Sequence, residues 1–595
     1  MGCIPFNLYL VTNLNGSLTP TRSLWTRTKT KLLDAIHAFS FTEKLIFYAL
    51  LGLFGGSAIF MLAKVNEHFT LEVPVSGGEI REGVVGFPRY INPLLGVTDT
   101  GKDMALLVYS GLLKATPEGE LIPDLAESYD VSDDGLTYTV KLKDNIYFHD
   151  GEPVTTKDIE FTIKKSLDPV IKSPKAAHWA GVAIEVVDEK TIRFILRHPY
   201  GPFLENLTLG ILPEHVWKSL ESEAFAFSQF NFRPIGSGPY KVSDVKEDKS
   251  GLPLFYELTP FKDYALGKPY INNLNIFFYS NEEKMIAAFN SGEIDQMSSI
   301  SPQKAREMAN REDILIDRAP LPRIFGLFLN QNEAPVFALK EVRRALNESI
   351  DRKEIIERVL YGFGTPAYGP LPAFISEDVE DDLTLEEHIK AGQSILEKAG
   401  WVKNSSGVYE KKDKTKTTTL SFSISTSNAV ELKAVAYTLK ETWEKMGAEV
   451  EIKVFDMADL NQNVIRQRKY DSLLFGEAVG RDLDLYAFWH SGERNDPGLN
   501  VAMYTNSKVD KILDETRKTD DREKRMKLYE SLEAEIENDI PAIFVYSPDL
   551  IYVRKPNIKG VSLNGITNTS ERFLGVHEWY VDTQKIWQIF NRKEN

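Results

Sequence analysis

The sequence predicts a single transmembrane helix followed by an α/β protein of more than one lobe. Three observations support this prediction. A chain of 595 residues is too long for one hydrophobic core, so it divides into lobes or domains. Strand-like and helix-like stretches alternate from about residue 77 onwards, which is typical of α/β lobes. Before them, the run from Leu45 to Ala63 carries no charge.

The uncharged run is long enough for a membrane span, because at about 1.5 Å per residue it nearly crosses a hydrocarbon core of about 30 Å. The segment before it is rich in basic residues (Arg22, Arg27, Lys29, Lys31 and Lys44, against Asp34 and Glu43). The positive-inside rule then predicts a single-pass protein of the cell membrane, with residues 1–44 cytoplasmic, residues 45–63 as the anchor and everything after 63 extracytoplasmic. Cleavage after Ala63 is the open alternative. No cysteine follows the run, which excludes a lipid-modified cysteine as the anchor.

A short tether, residues 64–76, leads into the body, where residue patterns predict each element. Runs rich in β-branched and aromatic residues predict strands at Thr137–Leu142, Thr191–Leu196, Ile271–Tyr279, Thr419–Ser425 and Ile543–Val553. Helical periodicity predicts helices at Glu282–Ser291, Lys340–Tyr361, Leu385–Ala399, Val430–Met446 and Lys508–Asn538. Asp351 and Ser507 lie where helices begin, and Gly292, Gly400 and Gly447 lie where they end. The polar stretch 404–419 predicts a surface hairpin.

Composition excludes several classes of function. Lys and Arg total 70 against 86 Asp and Glu, and this net charge of −16 opposes binding to nucleic acid. The single cysteine, Cys3, excludes internal disulfides and cysteine-rich metal sites. The nine histidines are widely scattered, so neither a metal nor another cofactor is predicted.

The sequence also lacks a catalytic constellation, and the protein is predicted not to be an enzyme. Gly96–Lys102 fits the phosphate-binding pattern GxxxxGK, but Asp103 stands where Ser or Thr is needed for magnesium. A loop that caps a helix explains this stretch better. The GxSxG pattern of α/β-hydrolases does not occur.

An ordered series of motifs along the body resembles the family 5 extracellular solute-binding proteins, the peptide/nickel-type substrate-binding components of ABC importers. The series extends from about residue 77 to 595 and consists of SDDGLTYTVKLK (132–143), YFHDGEPVT (147–155), GSGPY (236–240), AFNSGEID (288–295), LFLN (327–330) and VRRAL with IDR (342–352). The resemblance implies a type II periplasmic-binding-protein fold, with two lobes around a ligand cleft and an extra inserted subdomain. Its implied limits are 77–110, 205–300 and 543–595 for lobe I, 111–204 for the extra subdomain and 301–542 for lobe II.

The stretch 474–489 resembles the family segment whose first aspartate pairs with the α-ammonium of bound peptides. That aspartate corresponds to Asp482, but the next acid follows sooner than in the family and no proline comes after it. The choice between Asp482 and Asp484 therefore stays open. The alternative to a ligand-binding role is a helix N-cap aspartate that Arg481 neutralises. The resemblance also implies a cleft completed by aromatic and amide side chains: Tyr90, Asn92, Tyr240, Asn330, Tyr486, Trp489 and Tyr504.

The predicted function is that of the extracytoplasmic substrate-binding component of an ABC importer. The predicted partners are a peptide-like ligand, ABC permease subunits and the membrane, and the protein is expected to be a monomer. The alternative is a membrane-anchored peptide sensor or an extracytoplasmic chaperone that does not take part in transport.

Overall fold

The computed structural model describes residues 34–372, 375, 381–414, 416–519 and 521–587. The uncharged run lies inside helix α1 (Phe41–Phe69), which begins with a capping box between Ser40 and Glu43. From Phe41 to Asn66 this helix is long and apolar enough to cross a membrane, and the protein buries none of that apolar stretch. Strand β1 (Thr70–Pro74) follows and pairs with β23 (Thr583–Trp587).

The body, residues 74–582, is built around a mixed sheet of 12 strands. Its strands in spatial order are β20 (Glu449–Phe455), β19 (Ser421–Ser427), β21 (Ser472–Ala478), β14 (Arg323–Leu329), β22 (Ala542–Arg554), β12 (Gln296–Ser298), β2 (Glu79–Val85), β11 (Asn273–Tyr279), β10 (Pro253–Pro260) and β9 (Tyr240–Glu247), with β13 (Leu315–Pro320) and β15 (Gly364–Pro366) also paired to β22. The long strand β22 pairs with β14 and β15 through its first part and with β12 and β13 through its last part. One continuous strand therefore belongs to both lobes.

Lobe I is the half of the sheet from β12 to β9 with the segments packed on it. Its helices are α2 (Asp99–Val108), α6 (Glu214–Trp217) and α7 (Glu282–Ser291). Its core includes Trp217, Tyr240 and Trp579, which are fully buried. The two ends of the body meet here, because the Val75 N–H donates to the Asp582 carbonyl at 3.1 Å.

The extra subdomain has a sheet and a core of its own. The antiparallel sheet consists of β5 (Ala126–Val131), β6 (Thr137–Leu142), β8 (Thr191–Ile195) and β7 (Ala183–Val186), with β3 (Leu113–Ala115) and β4 (Leu121–Pro123) forming a small second sheet. Helices α3 (Thr156–Leu167), α4 (Ala176–Trp179) and α5 (Phe203–Asn206) accompany these strands. Tyr138, Trp179, Phe194 and Phe203 bring their rings together in its core.

Lobe II is the half of the sheet from β14 to β20, which has one hydrophobic core around Trp443 and another around Trp489. The helices along this part of the chain are α8 (Pro302–Met308), α9 (Lys340–Glu348), α10 (Arg352–Leu360), α11 (Leu385–Lys398), α12 (Val430–Met446), α13 (Met457–Asp459), α14 (Tyr486–Trp489), α15 (Ser507–Lys518) and α16 (Arg522–Asp539). A small antiparallel sheet of β16 (Val402–Lys403), β17 (Tyr409–Lys412) and β18 (Thr417–Thr419) lies between α11 and β19. The polar stretch predicted as one hairpin thus supplies two turns of this sheet.

The domain limits implied by the resemblance remain a prediction. The predicted lobe II includes α8 and β13, but the residues of α8 pack in a cluster with Met285, Ile294 and Val553. Strand β13 pairs with the last part of β22. Both elements therefore contact lobe I.

Candidate functional site

The predicted ligand segment is the loop between β21 and α14. Val479 continues the pairing of β21 with its neighbour, because its N–H donates to the Pro322 carbonyl at 2.8 Å. The chain then turns through residues 480–485, with Leu483 at φ +57°. The three charged residues predicted here, Arg481, Asp482 and Asp484, have three different environments.

Asp484 is already neutralised within the protein. Its carboxylate accepts bonds from Arg517 Nη2 at 2.7 Å and from Arg517 Nε at about 3.0 Å. The same guanidinium lies 3.8 Å from the centroid of the Tyr486 ring, so cation–π attraction adds to the ion pair. Tyr200 of the extra subdomain donates to Asp484 at 3.5 Å. This pairing leaves Asp484 little capacity to bind a further cation.

Asp482 lacks such a partner. Among the described residues, no lysine, arginine or histidine lies within ion-pair distance of its carboxylate, which accepts one long bond, 3.4 Å, from the Asp484 N–H. Burial raises the pKa of Asp482, and the neighbouring negative charge of Asp484 raises it further. A partly buried carboxylate with these neighbours gains strongly from a cation that arrives with a ligand.

Arg481 reaches from lobe II to lobe I. Its Nη2 donates to Glu571 at 2.6 Å, its Nη1 donates to the Gly565 carbonyl at 2.7 Å, and Glu205 lies 3.7 Å away. Its side chain is 10% exposed. This arginine therefore joins the two lobes through an ion pair and does not neutralise Asp482.

A small polar cavity of about 100 Å³ lies around Arg481. Burial raises the pKa of Glu205 to about 7 and lowers that of Lys114 to about 8. Lys114 donates to the Tyr264 hydroxyl at 2.7 Å, while one carboxyl oxygen of the buried Asp124 has no hydrogen-bond partner. The cavity is therefore suited to water or to a small polar group.

The predicted aromatic and amide residues do not gather around Asp482. Five of them are at most 5% exposed: Asn92, Tyr240, Asn330, Trp489 and Tyr504. Asn92 bonds to Asn231 and to the Leu94 N–H, and Asn330 donates to the Arg468 carbonyl. Tyr90 is partly buried beside Arg89. Of the ten predicted residues, Asp484 and Tyr486 meet at Arg517, and Trp489 packs against Tyr504 in a core of lobe II.

A second, larger cavity of about 470 Å³ lies beside strands β14, β21 and β22. Its lining is mostly apolar and includes Phe325, Leu360, Phe363, Leu432, Phe475 and Tyr546. The volume falls in the range of about 300–1,000 Å³ that is usual for small-molecule pockets. Asp482 lies four positions after Ala478 at the cavity edge, a distance of at most about 14 Å along an extended chain.

Comparison with known proteins identifies the family of this chain. A profile described as bacterial extracellular solute-binding proteins, family 5 Middle, matches residues 120–497. The chain belongs to this family.

Among relatives of this family 5 chain, an oligopeptide-binding protein, AppA, from Bacillus subtilis is 28% identical over 498 residues, which cover 82% of this chain and 89% of the relative. A glutathione-binding protein, GsiB, from Pectobacterium atrosepticum is 25% identical over 461 residues, covering 76% and 85%. The structure of Bacillus subtilis AppA in complex with a nonapeptide matches with a TM-score of 0.65 at 25% identity, covering 86% of this chain and all of that one. NikZ from Campylobacter jejuni with Ni(L-His) matches with a TM-score of 0.66 at 26% identity, covering 84% and 99%.

The residues that line the larger cavity of this family 5 protein were not predicted from the sequence. One signal was available, because Gly476 interrupts an otherwise strand-forming run and an isolated glycine in a strand often marks a close approach. A Cβ at Gly476 would lie 2.7 Å from the Phe325 ring. The position of Gly476 therefore lets this ring lie across the strand.

Another missed residue is Glu477, which is 3% exposed. Burial raises its pKa to about 8, and neither of its carboxyl oxygens has a hydrogen-bond partner among the described residues. This acid belongs to the lining of the larger cavity and also lies near the Trp489 indole.

Proposed function

We propose that this chain is the extracytoplasmic substrate-binding component of an ABC importer, and that it binds a peptide-like solute between its lobes for delivery to the permease. Family membership supports this function, together with relatives named as oligopeptide-binding, glutathione-binding and ABC transporter peptide-binding proteins. The protein itself performs no chemistry on the solute. The two lobes close on the bound solute, and the closed protein has a shape that a permease can bind.

The observation that carries the proposal is the contrast between the two aspartates. Asp484 is paired with Arg517, whereas the carboxylate of Asp482 has no cation at ion-pair distance among the described residues. We therefore assign the ligand's α-ammonium to Asp482. In a closing cleft of low dielectric constant, this ion pair is stronger than in water, and capture of a terminal amine is a known mode of peptide binding.

The proposed topology is a monomer held to the cell membrane by α1, with the body outside the cytoplasm. The apolar helix and the basic segment before it support this orientation. Anchoring keeps the body close to a permease in the same membrane, which raises its effective concentration there.

The test begins with native mass spectrometry of the full chain, purified in detergent from cells grown on a peptide-rich medium. We expect a series of short peptide masses, and one of these peptides is then synthesised with a free and with an acetylated amino terminus. Titration calorimetry should show that Asp482→Asn and acetylation each weaken binding at least tenfold, with little further loss when the two are combined.

Asp484→Asn serves as the comparison variant. It should lower the melting temperature because Arg517 loses its partner, whereas Asp482→Asn should leave the melting temperature nearly unchanged or raise it. Unchanged affinity in Asp482→Asn would contradict the amine assignment. A single non-peptide mass would contradict the ligand class.

A further inference from the structure

The larger cavity has a floor of stacked aromatic rings. The rings of Phe325 and Tyr546 lie with centroids 5.0 Å apart and planes within 10° of parallel. Tyr546 is 2% exposed and Phe325 is partly buried, so the stack is held firmly from below. Such a flat, rigid floor suits an apolar or aromatic group, which gains from offset stacking as well as from leaving water.

A cation is placed beside this floor. Arg323 lines the cavity and lies two residues before Phe325 on β14, so both side chains project from the same face of the strand. The antiparallel pairing sets Arg323 opposite Ala478 and Phe325 opposite Gly476. Neither Ala478 nor Gly476 has a side chain long enough to cover the guanidinium from across the pair.

The guanidinium of Arg323 is available to a ligand. Within the part of the chain that the structure describes, it makes no hydrogen bond or ion pair. Other arginines in lobe II are engaged, such as Arg343 with the Phe337 and Asp539 carbonyls and Arg517 with Asp484. An unpaired, partly buried guanidinium beside an apolar cavity matches a planar carboxylate, which it can bind through two parallel bonds.

We propose that this cavity takes a large apolar side chain of the ligand and that Arg323 binds the ligand's free carboxylate. The proposal rests on the proposed function and narrows it to short peptides, or similar zwitterions, that end in an aromatic or branched apolar residue. The distance along the chain between the cavity edge and Asp482, at most about 14 Å, fits ligands of about two to four residues.

The experiment uses the full chain in detergent and a series of free tripeptides, Ala-Ala-Xaa, in which Xaa is Phe, Leu, Ser or Glu. Each peptide is also made with an amidated carboxyl terminus. We expect Phe and Leu to bind at least tenfold more tightly than Ser or Glu, and amidation to weaken binding of the Phe peptide at least tenfold.

Two variants assign these effects to residues. In Arg323→Gln the free and the amidated Phe peptide should bind about equally, whereas the control Arg344→Gln, an exposed arginine outside the cavity, should keep the wild-type difference. Ala429→Trp should fill the cavity and abolish the preference for Phe and Leu. Its control is Asn428→Trp, at an exposed neighbour that does not line the cavity.

The outcomes separate the two proposals. If the wild type binds neither this series nor a random peptide library, the proposed function fails and this inference fails with it. If peptides bind but amidation weakens binding equally in the wild type and in Arg323→Gln, or if Ala429→Trp leaves the side-chain preference unchanged, the inference is overturned and the proposed function stands.

Discussion

Replacing Arg572 by methionine removes the cation that two buried acids of lobe I share. The Arg572 side chain is 1% exposed, and it donates to Glu82 at 2.7 Å and to Asp103 at 2.9 and 2.7 Å. Glu82 also accepts bonds from Gln296 at 2.6 Å and from Tyr552 at 2.7 Å. The uncharged bonds remain in the variant, but the charges of both carboxylates lose their compensation.

The size of the effect follows from this burial. Removing one partner of a buried ion pair costs about 3–5 kcal/mol, because the other partner stays buried and unpaired. A body of about 500 residues has an unfolding entropy near 1 kcal/mol per kelvin, so Arg572→Met should lower the melting temperature by about 3–5 °C. The exposed pair of Arg358 and Glu441 supplies the control, because Arg358→Met should cost less than about 1 kcal/mol.

Calorimetric melting at several pH values checks the reasoning. Burial already raises the pKa of Glu82, and loss of Arg572 raises it further, so the folded variant takes up protons that the unfolded chain does not. The deficit in stability should therefore be larger at pH 8 than at pH 5. A melting temperature within 1 °C of the wild type, or a deficit that does not change with pH, would refute this account of the cluster.

Three further predictions concern other parts of the protein. Burial raises the pKa of Glu477 to about 8, above its ordinary value of 4.5. The free energy of unfolding therefore falls as pH rises from about 4.5 to 8, because the buried carboxyl must ionise. Glu477→Gln should accordingly raise the melting temperature more at pH 8 than at pH 5. Burial likewise raises the pKa of Glu205 to about 7 while the charge of Arg481 opposes this rise, so ionisation of Glu205 between pH 5.5 and 8.5 should strengthen its contact with Arg481; small-angle scattering should show the wild type more compact at high pH and Glu205→Gln unchanged. Cys3, in the segment predicted to be cytoplasmic, should react with a membrane-impermeant maleimide in inverted vesicles but not in intact spheroplasts, and the reverse result would contradict the topology.

Local signals predicted individual helices well where a glycine marked the helix end. Helix α7 has Asn281 as its N-cap and Gly292 at its end, and α12 ends at Gly447, so both predicted ranges agree with the structure. The predicted helix Lys340–Tyr361 is in fact two helices, α9 and α10, because Asp351 caps a new start. Apolar periodicity continues across that break, so the predicted range ran through the helix start that Asp351 marks.

The candidate site was less predictable, because its contacts join residues far apart in the chain. Asp482 and Asp484 could not be distinguished from sequence, since the partner of Asp484 is Arg517, 33 residues later in the chain on helix α15. The larger cavity forms where strands from three separate segments meet. Its lining combines residues of these strands with Pro302, Leu360 and Leu432 from three helices, and apart from the glycine at 476 these residues carry no local signature of binding.

The hydrogen bond between Val75 and Asp582 implies that the order of segments along the chain can be changed without changing the fold of the body. Because the body's first and last residues are adjacent, a short linker could join residue 582 to residue 74 and the chain could be opened elsewhere. The exposed turn Asp248–Leu252, between β9 and β10, is a suitable opening. In such a permuted chain, lobe II would be synthesised before most of lobe I, while every strand of the body would keep its neighbours in the sheet. The effect of synthesis order on folding could then be measured separately from the effect of architecture.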